Sequence, residues 1–294
     1  MKKVKKTRKM KRSKPAKVVE PQFYQSQTGS MVLNYRVYYY SLKEKLGYTL
    51  LALLVGGAVG YLFYGGLGKD AYGNATMLTS LCNVLFCGLA ALVAARVFLP
   101  LRKKSLLEKR KKTLRAQFVD MLDALSTSLG AGRNMNDSFR SAYEDLKMQY
   151  GESAHIVQEL NVILTGIANN MRIEELLLDF GSRSGVVDIE CFANVFAVSF
   201  RTGGNMKEII RNTHEIIHDK VAIEMEIAAM AASNNMEQNI MIVMPILIMV
   251  MMKTMGSSMA AGFQTVSGVI TITVCVGIFV LAYMIGRKIL NIEL

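Results

Sequence analysis

Four long apolar runs divide the chain: Leu46–Leu67, Met77–Leu99, Ile240–Met255 and Val266–Gly286. Each approaches the ~20 residues with which a helix crosses ~30 Å of hydrocarbon. Between the second and third runs lies a polar stretch with apolar positions at helical spacing. Phe118, Met121, Leu122, Leu125 and Leu129 fall at i, i+3, i+4 and later equivalents. This run stops at Gly130-Ala131-Gly132, and Asn134 or Asn136 offers the N-cap of a second helix through Phe139, Tyr143 and Leu146. Further helices fit Ser153–Ala168, Ile173–Phe180 and Val187–Phe200, with Gly181–Gly185 as a turn. A last one runs from Met206 to about Ala232 and leads into the third apolar run. No alternating strand pattern stands out. The pattern predicts an all-α polytopic membrane protein with four transmembrane helices and one cytosolic bundle of about six helices.

Four regions follow. Residues 1–45 form a basic, partly disordered N-terminus with a juxtamembrane segment, and 46–99 a first transmembrane hairpin. Residues 100–239 form the cytosolic helical domain. Residues 240–294 form a second hairpin and a short C-terminus. The first apolar run lacks a small-residue cleavage site, so it is expected to stay in the mature protein. Gly56 and Gly60 stand in G-x-x-x-G spacing, which predicts close packing of that span on another helix. Gly65, Gly66 and Gly68 make the following turn, and Asn83 is expected to face protein.

Charge sets the orientation. The net charge of +12 is concentrated in two places. Residues 1–46 hold 13 Lys/Arg against two acids, and Arg102–Arg115 holds eight against Glu108. The rest of the middle stretch is acidic. The turn after the first run carries only Lys69 and Asp70, and Gly256–Thr265 carries no charge. Basic borders mark the cytoplasmic side. The N-terminus, the middle domain and the C-terminus with Arg287 and Lys288 are therefore expected in the cytoplasm. Lysine-rich Met1–Lys17 reads as solvated charge attracted to anionic lipid. Arg102, Lys103, Lys104, Lys109, Arg110, Lys111, Lys112 and Arg115 are candidate anionic-lipid contacts. The tyrosines of Met31–Lys45 are expected at the membrane interface. No folded basic surface accompanies the tail, so nucleic acid is not an expected partner.

Reactive chemistry is thin. Cys82, Cys87, Cys191 and Cys275 form no C-x-x-C pair and read as small apolar residues. His214-Glu215-Ile216-Ile217-His218 matches H-E-x-x-H, which on a helix could hold zinc with the glutamate as general base. A membrane-bound zinc peptidase using His214, Glu215 and His218 is the alternative reading. Local chemistry opposes it: Lys207 and Arg211 stand beside the histidines, and no motif supplies a third ligand. Ile209, Ile210, Ile216, Ile217 and Val221 are taken as that helix's buried side. No Walker A loop or dinucleotide-binding glycine motif is present. No cofactor, resident metal or catalytic residue is expected, and an energy source would be a partner. Pro245 is expected to kink the third span, and Lys253 to snorkel near its outer end.

Two corners repeat. Ser128–Met135 (SLGAGRNM) aligns with Ser199–Met206 (SFRTGGNM) at an offset of 71. Each ends a helix on glycine and starts the next after asparagine. Gly132, Asn134, Met135, Gly203, Asn205 and Met206 are candidate partner contacts.

The arrangement of spans, basic lead-in and helical domain resembles the Tad (Flp) pilus assembly proteins of the TadB and TadC type. These are relatives of the type II secretion F / type IV pilus platform family. The resemblance rests on LSTSLGAGRNMNDSFRSA (125–142), FGSRSGVVDIECFANVFAVSFRTGGNMKEII (180–210) and MEQNIMIVMPI (236–246). It implies a non-enzymatic inner-membrane platform that couples a cytoplasmic secretion-type ATPase to pilin subunits. It also implies a second platform subunit or a homo-oligomer as partner. This chain has one such domain where secretion F proteins carry two, which favours the Tad branch.

Overall fold

The computed structural model describes residues 20–25, 29–64, 77–254 and 266–290. The tail Met1–Lys17, the turn at Gly65–Asp70 and the loop Gly256–Thr265 lie outside the described residues, as do the side chains of Cys82, Lys253, Arg287 and Lys288. A short antiparallel hairpin, β1 Phe23–Gln25 and β2 Met31–Leu33, opens the chain and was not anticipated. Helices α1 Leu42–Tyr64 and α2 Met77–Gly130 follow. Next come α3 Met135–Tyr150, α4 His155–Ala168, α5 Ile173–Ser184 and α6 Val187–Thr202. The chain closes with α7 Met206–Thr254 and α8 Val266–Leu290.

Two helices run unbroken between the bundle and an apolar stretch. Pro100 lies inside α2 and Pro245 inside α7, and neither ends its helix. By rise per residue, α2 extends about 80 Å and α7 about 74 Å. Each begins or ends in the bundle and carries an apolar stretch at its other end.

Two helices are long and apolar enough to cross a membrane: α1 and the apolar half of α2. The apolar stretches Asn239–Met251 and Ile270–Gly286 of α7 and α8 are shorter. The described residues therefore carry two clear span candidates where four were expected. The expected G-x-x-x-G contact is present. A Cβ built on Gly56 would stand 2.6 Å from Ala94 Cβ and 2.9 Å from Ala91 Cα. One on Gly60 would stand 2.9 Å from Ala90 Cβ. Only glycine lets the two backbones approach this closely. Tyr64 stacks on Phe86 beside this contact, with ring centroids 5.0 Å apart.

The bundle comprises α3–α6 with the polar halves of α2 and α7. The helical periodicity holds: Phe118, Met121, Leu122 and Leu125 are fully buried. They meet Phe139 and Leu146 of α3, Ile156 and Leu160 of α4, Phe180 of α5, and Phe192 and Phe196 of α6. Phe118 packs edge-on against Phe192 at 5.4 Å.

The segment at 181–185 departs from the expected turn. Helix α5 continues to Ser184, and Gly185 ends it in the left-handed conformation, φ +60°. Gly181 serves packing instead. A Cβ there would stand 2.9 Å from Ala193 Cβ and 3.2 Å from Glu190 Cα, so glycine admits α6 against α5.

One juxtamembrane tyrosine departs from expectation. Tyr35 is fully buried in the bundle core. Its amide donates to the Arg183 carbonyl at 3.1 Å, and Asn34 N donates to Gln22 O at 2.8 Å. The first bond ties the segment before α1 to the bundle, and the second closes that segment on itself.

Candidate partner-contact site

Chain direction sorts the loops onto two ends. Helix α2 leaves its apolar half and reaches the far end at Gly130; α4 and α6 run the same way, and α3, α5 and α7 return. The far end therefore gathers 130–136, 169–173 and 200–206.

Two of these three segments are the repeated corners, and they share a left-handed glycine, a six-to-one closure and an asparagine cap. Gly132 and Gly203 both adopt positive φ, +81° and +73°. Arg133 N donates to Ser128 O at 3.3 Å, and Gly204 N donates to Ser199 O at 2.8 Å. This six-to-one bond is the Schellman closure that satisfies a terminal helix carbonyl. Asparagine then caps the next helix. Asp137 N donates to Asn134 Oδ1 at 2.8 Å, and Glu208 N donates to Asn205 Oδ1 at 3.3 Å. Each asparagine also donates from Nδ2 to the carboxylate three residues on, Asp137 Oδ2 at 2.7 Å and Glu208 Oε2 at 3.2 Å. The cap is Asn134; Asn136 instead lines the neighbouring cleft. Met135 and Met206 are half-buried and pack on the core from the first turn of α3 and α7.

An open cleft of about 590 Å³ lies beside the corners, lined by Asn136, Ile167, Asn170–Glu174, Phe200 and Arg201. Its polar centre is the buried carboxylate of Glu174. Arg172 donates to Glu174 Oε1 from Nε at 2.8 Å and from Nη2 at 2.5 Å. Arg201 Nε stands 3.8 Å away across the cleft. Burial works to raise this carboxyl, but bonds from its own amide and Arg172, and the charges of Arg172 and Arg201, hold it below the usual range. Both arginine side chains remain about half exposed, at 55% and 54%. Sequence reading missed this cleft, because Arg172, Glu174 and Arg201 share no motif and meet only through the fold.

Nearer the apolar helices lies a second polar cluster that the sequence concealed. Arg183 and Glu159 are buried and paired, and Arg183 Nε donates to Asp179 Oδ2 at 2.7 Å. Arg183 Nη1 also donates to the Leu33 carbonyl at 3.3 Å, tying β2 to α5. Burial pushes the Glu159 carboxyl up and the guanidinium down. The only sequence trace was the four-residue spacing of Asp179 and Arg183.

The eight basic residues of the lead-in have different surroundings. Arg115 faces the bundle, with Nε 2.6 Å from Asp188 Oδ2 and Nη1 donating to Glu224 Oε2 at 2.5 Å. Lys220 Nζ donates to Asp188 Oδ1 at 2.9 Å, so one acid joins α2, α6 and α7. This arrangement removes Arg115 from the lipid contacts expected of it. Arg110 lies over the Tyr38 ring at 4.7 Å, and Lys111 packs beside Gly185. Arg102, Lys104, Lys109 and Lys112 are exposed, and Lys103 is half-buried.

The zinc motif does not become a site. The His214 and His218 rings lie 5.8 Å apart, but Glu215 sits 3.6 Å from Arg211 and is 61% exposed. Among the described residues no group of three His, Cys, Asp or Glu could hold a metal ion. Ile216, expected on the buried side, is 68% exposed; Ile210 and Ile217 are buried and Val221 half-buried.

These features define a helical bundle continuous with apolar helices, whose far end carries a paired cap motif and an arginine-rimmed cleft. Residues 121–253 match the family model for Type II secretion system (T2SS), protein F. Proteins of the family are non-enzymatic platform proteins of the inner membrane, with a general role in secretion or pilus assembly. No curated protein and no solved structure matches the chain.

Proposed function

We propose that the chain is an inner-membrane platform subunit of a Tad or type IV-like pilus assembly machine, or of a type II-like secretion machine. In this reading it couples a cytoplasmic ATPase to the movement of pilin subunits. One observation carries the mechanism: α2 and α7 are each unbroken from the far-end corners to their apolar stretches. A displacement applied at the corners would be transmitted along two stiff rods. The cleft between Arg172 and Arg201 is the ATPase-facing surface, and the apolar ends of α2 and α7 are the pilin-facing one. A second platform subunit or a second copy completes the assembly.

The same reading takes Asn239–Met251 and Ile270–Gly286 as spans three and four. Their outward side chains, Met241, Met244, Ile248, Ile278, Leu281 and Ile285 among them, are each more than half exposed. Such apolar surface demands lipid or protein cover. Both termini and the bundle then face the cytoplasm, on the side marked by the basic residues.

The test is a crosslinked pull-down from native membranes with the tagged full-length chain, read by mass spectrometry. Wild type should recover a secretion-type ATPase with a pilin or a second platform subunit. Arg172→Glu with Arg201→Glu should lose the ATPase and keep the membrane partners. Recovery of no secretion or pilus component would overturn the proposal.

A further inference from the structure

At the level where the apolar half of α2 ends, the fold holds two cations without neutralising them. The Arg102 guanidinium lies 5.6 Å from the centre of the Tyr48 ring, and Lys103 Nζ lies 4.7 Å from that of Tyr39. A neutral ring attracts a cation through its quadrupole and leaves the full charge for another ligand. This differs from Arg115, whose charge is met by Asp188 and Glu224.

The rings are themselves fixed. Tyr39 Oη donates to Glu20 O at 3.0 Å. Tyr40 Oη donates to Leu99 O at 2.8 Å, one turn before Arg102, and its ring packs against Tyr48 at 5.8 Å. Acids on these elements are few. Glu44 Oε2 accepts from Tyr38 Oη and Ser41 N, both at 3.1 Å, and Glu108 is exposed. On one side of this cation pair the surface is outward-facing leucine: Leu46, Leu50 and Leu92 are 72%, 57% and 66% exposed. On the other side it is polar bundle. A ligand matching this boundary carries a negative headgroup directly above acyl chains.

We propose that Arg102 and Lys103, positioned by Tyr48 and Tyr39, bind the headgroup phosphate of an anionic phospholipid in the membrane that α1 and α2 enter. The proposal rests on reading α1 and α2 as spans. It requires no ATPase or pilin.

The full-length chain, purified in a neutral detergent, is titrated with phosphatidylglycerol or phosphatidylcholine, and bound lipids are counted by native mass spectrometry. Wild type should retain phosphatidylglycerol roughly tenfold over phosphatidylcholine, a preference built from two surface cations. Arg102→Gln with Lys103→Gln should abolish the preference. Tyr39→Leu with Tyr48→Leu should weaken it several-fold at unchanged charge, which a purely diffuse charge effect would not do. Lys207→Gln with Arg211→Gln, exposed cations at the opposite end of the bundle, should preserve it. Equal retention of the two lipids by wild type overturns the proposal without requiring any variant to fold. A preference surviving the double glutamine change overturns the assignment to Arg102 and Lys103. A preference unchanged by the leucine pair overturns the positioning role of the tyrosines. Any of these results leaves ATPase recovery, and so the platform reading, untouched.

Discussion

Arg183 and Glu159 form a two-point ion pair inside the bundle, Nη1 to Oε1 at 2.9 Å and Nη2 to Oε2 at 2.7 Å. Their side chains are 2% and 4% exposed. Removing one partner strands a buried charge, whereas removing both removes the desolvation cost as well. Glu159→Leu alone should destabilise the bundle by about 3 kcal/mol or more. Glu159→Leu with Arg183→Met should recover most of that loss. Thermal unfolding in detergent, followed by helical circular dichroism, distinguishes them; a single variant as stable as wild type contradicts the pairing.

His155 contributes one part of the bundle's pH response. Burial, and secondarily the Arg110 charge, push its imidazole below the ordinary value. The unfolded chain takes up this proton near pH 6.5, before the folded chain does. The associated stability is complete above about pH 6.5 and is lost as pH falls through the lower folded value. His155→Phe, which keeps the edge contact with Tyr35 at 5.4 Å, should flatten this part of the profile. Melting temperatures from pH 8 to pH 5 for both proteins provide the check.

Gly56 and Gly57 are neighbours with opposite requirements. A Cβ at Gly56 meets Ala94 and Ala91, whereas one at Gly57 meets nothing within 4 Å. Gly56→Val should cost about 1–3 kcal/mol through forced separation of α1 and α2. Gly57→Ala should be neutral or slightly stabilising. Heat challenge in detergent followed by size-exclusion chromatography reports the difference. Equal midpoints would contradict the close crossing.

The two asparagine caps should behave as duplicates. Asn134→Ala and Asn205→Ala should each cost about 1 kcal/mol. The double variant should be additive, because the corners share no hydrogen bond. If the corners are partner contacts as well as caps, ATPase recovery should fall by more than this stability loss explains. Pull-down at a temperature where both variants remain folded separates the two roles.

Local chemistry was legible where it is local. Helical periodicity marked Phe118–Leu125 as core, the repeated glycine–asparagine corners marked two helix ends, and G-x-x-x-G marked the first span for close packing on another helix. Each depends on residues within a turn or two, or on the absence of a side chain. Gly181 misled because glycine ends helices and also admits close neighbours, and only the position of Ala193 decides between these uses. Tyr35 was read as an interfacial ring and became core, because its partners His155 and Arg183 are distant in sequence.

The sequence by itself determined the helical class, the apolar segments, the basic border and the duplicated caps, because these follow from side-chain periodicity and short-range hydrogen bonding. Tertiary structure decided which charges are spent and which remain. Arg115 is neutralised by α6 and α7, Arg183 is enclosed with Glu159, and Arg172 and Arg201 converge on Glu174. Arg102 and Lys103 keep their charge above tyrosine rings. Side chains of one type look alike along the chain, and a cation's role is set by the acid, ring or solvent that the fold brings within a few ångströms.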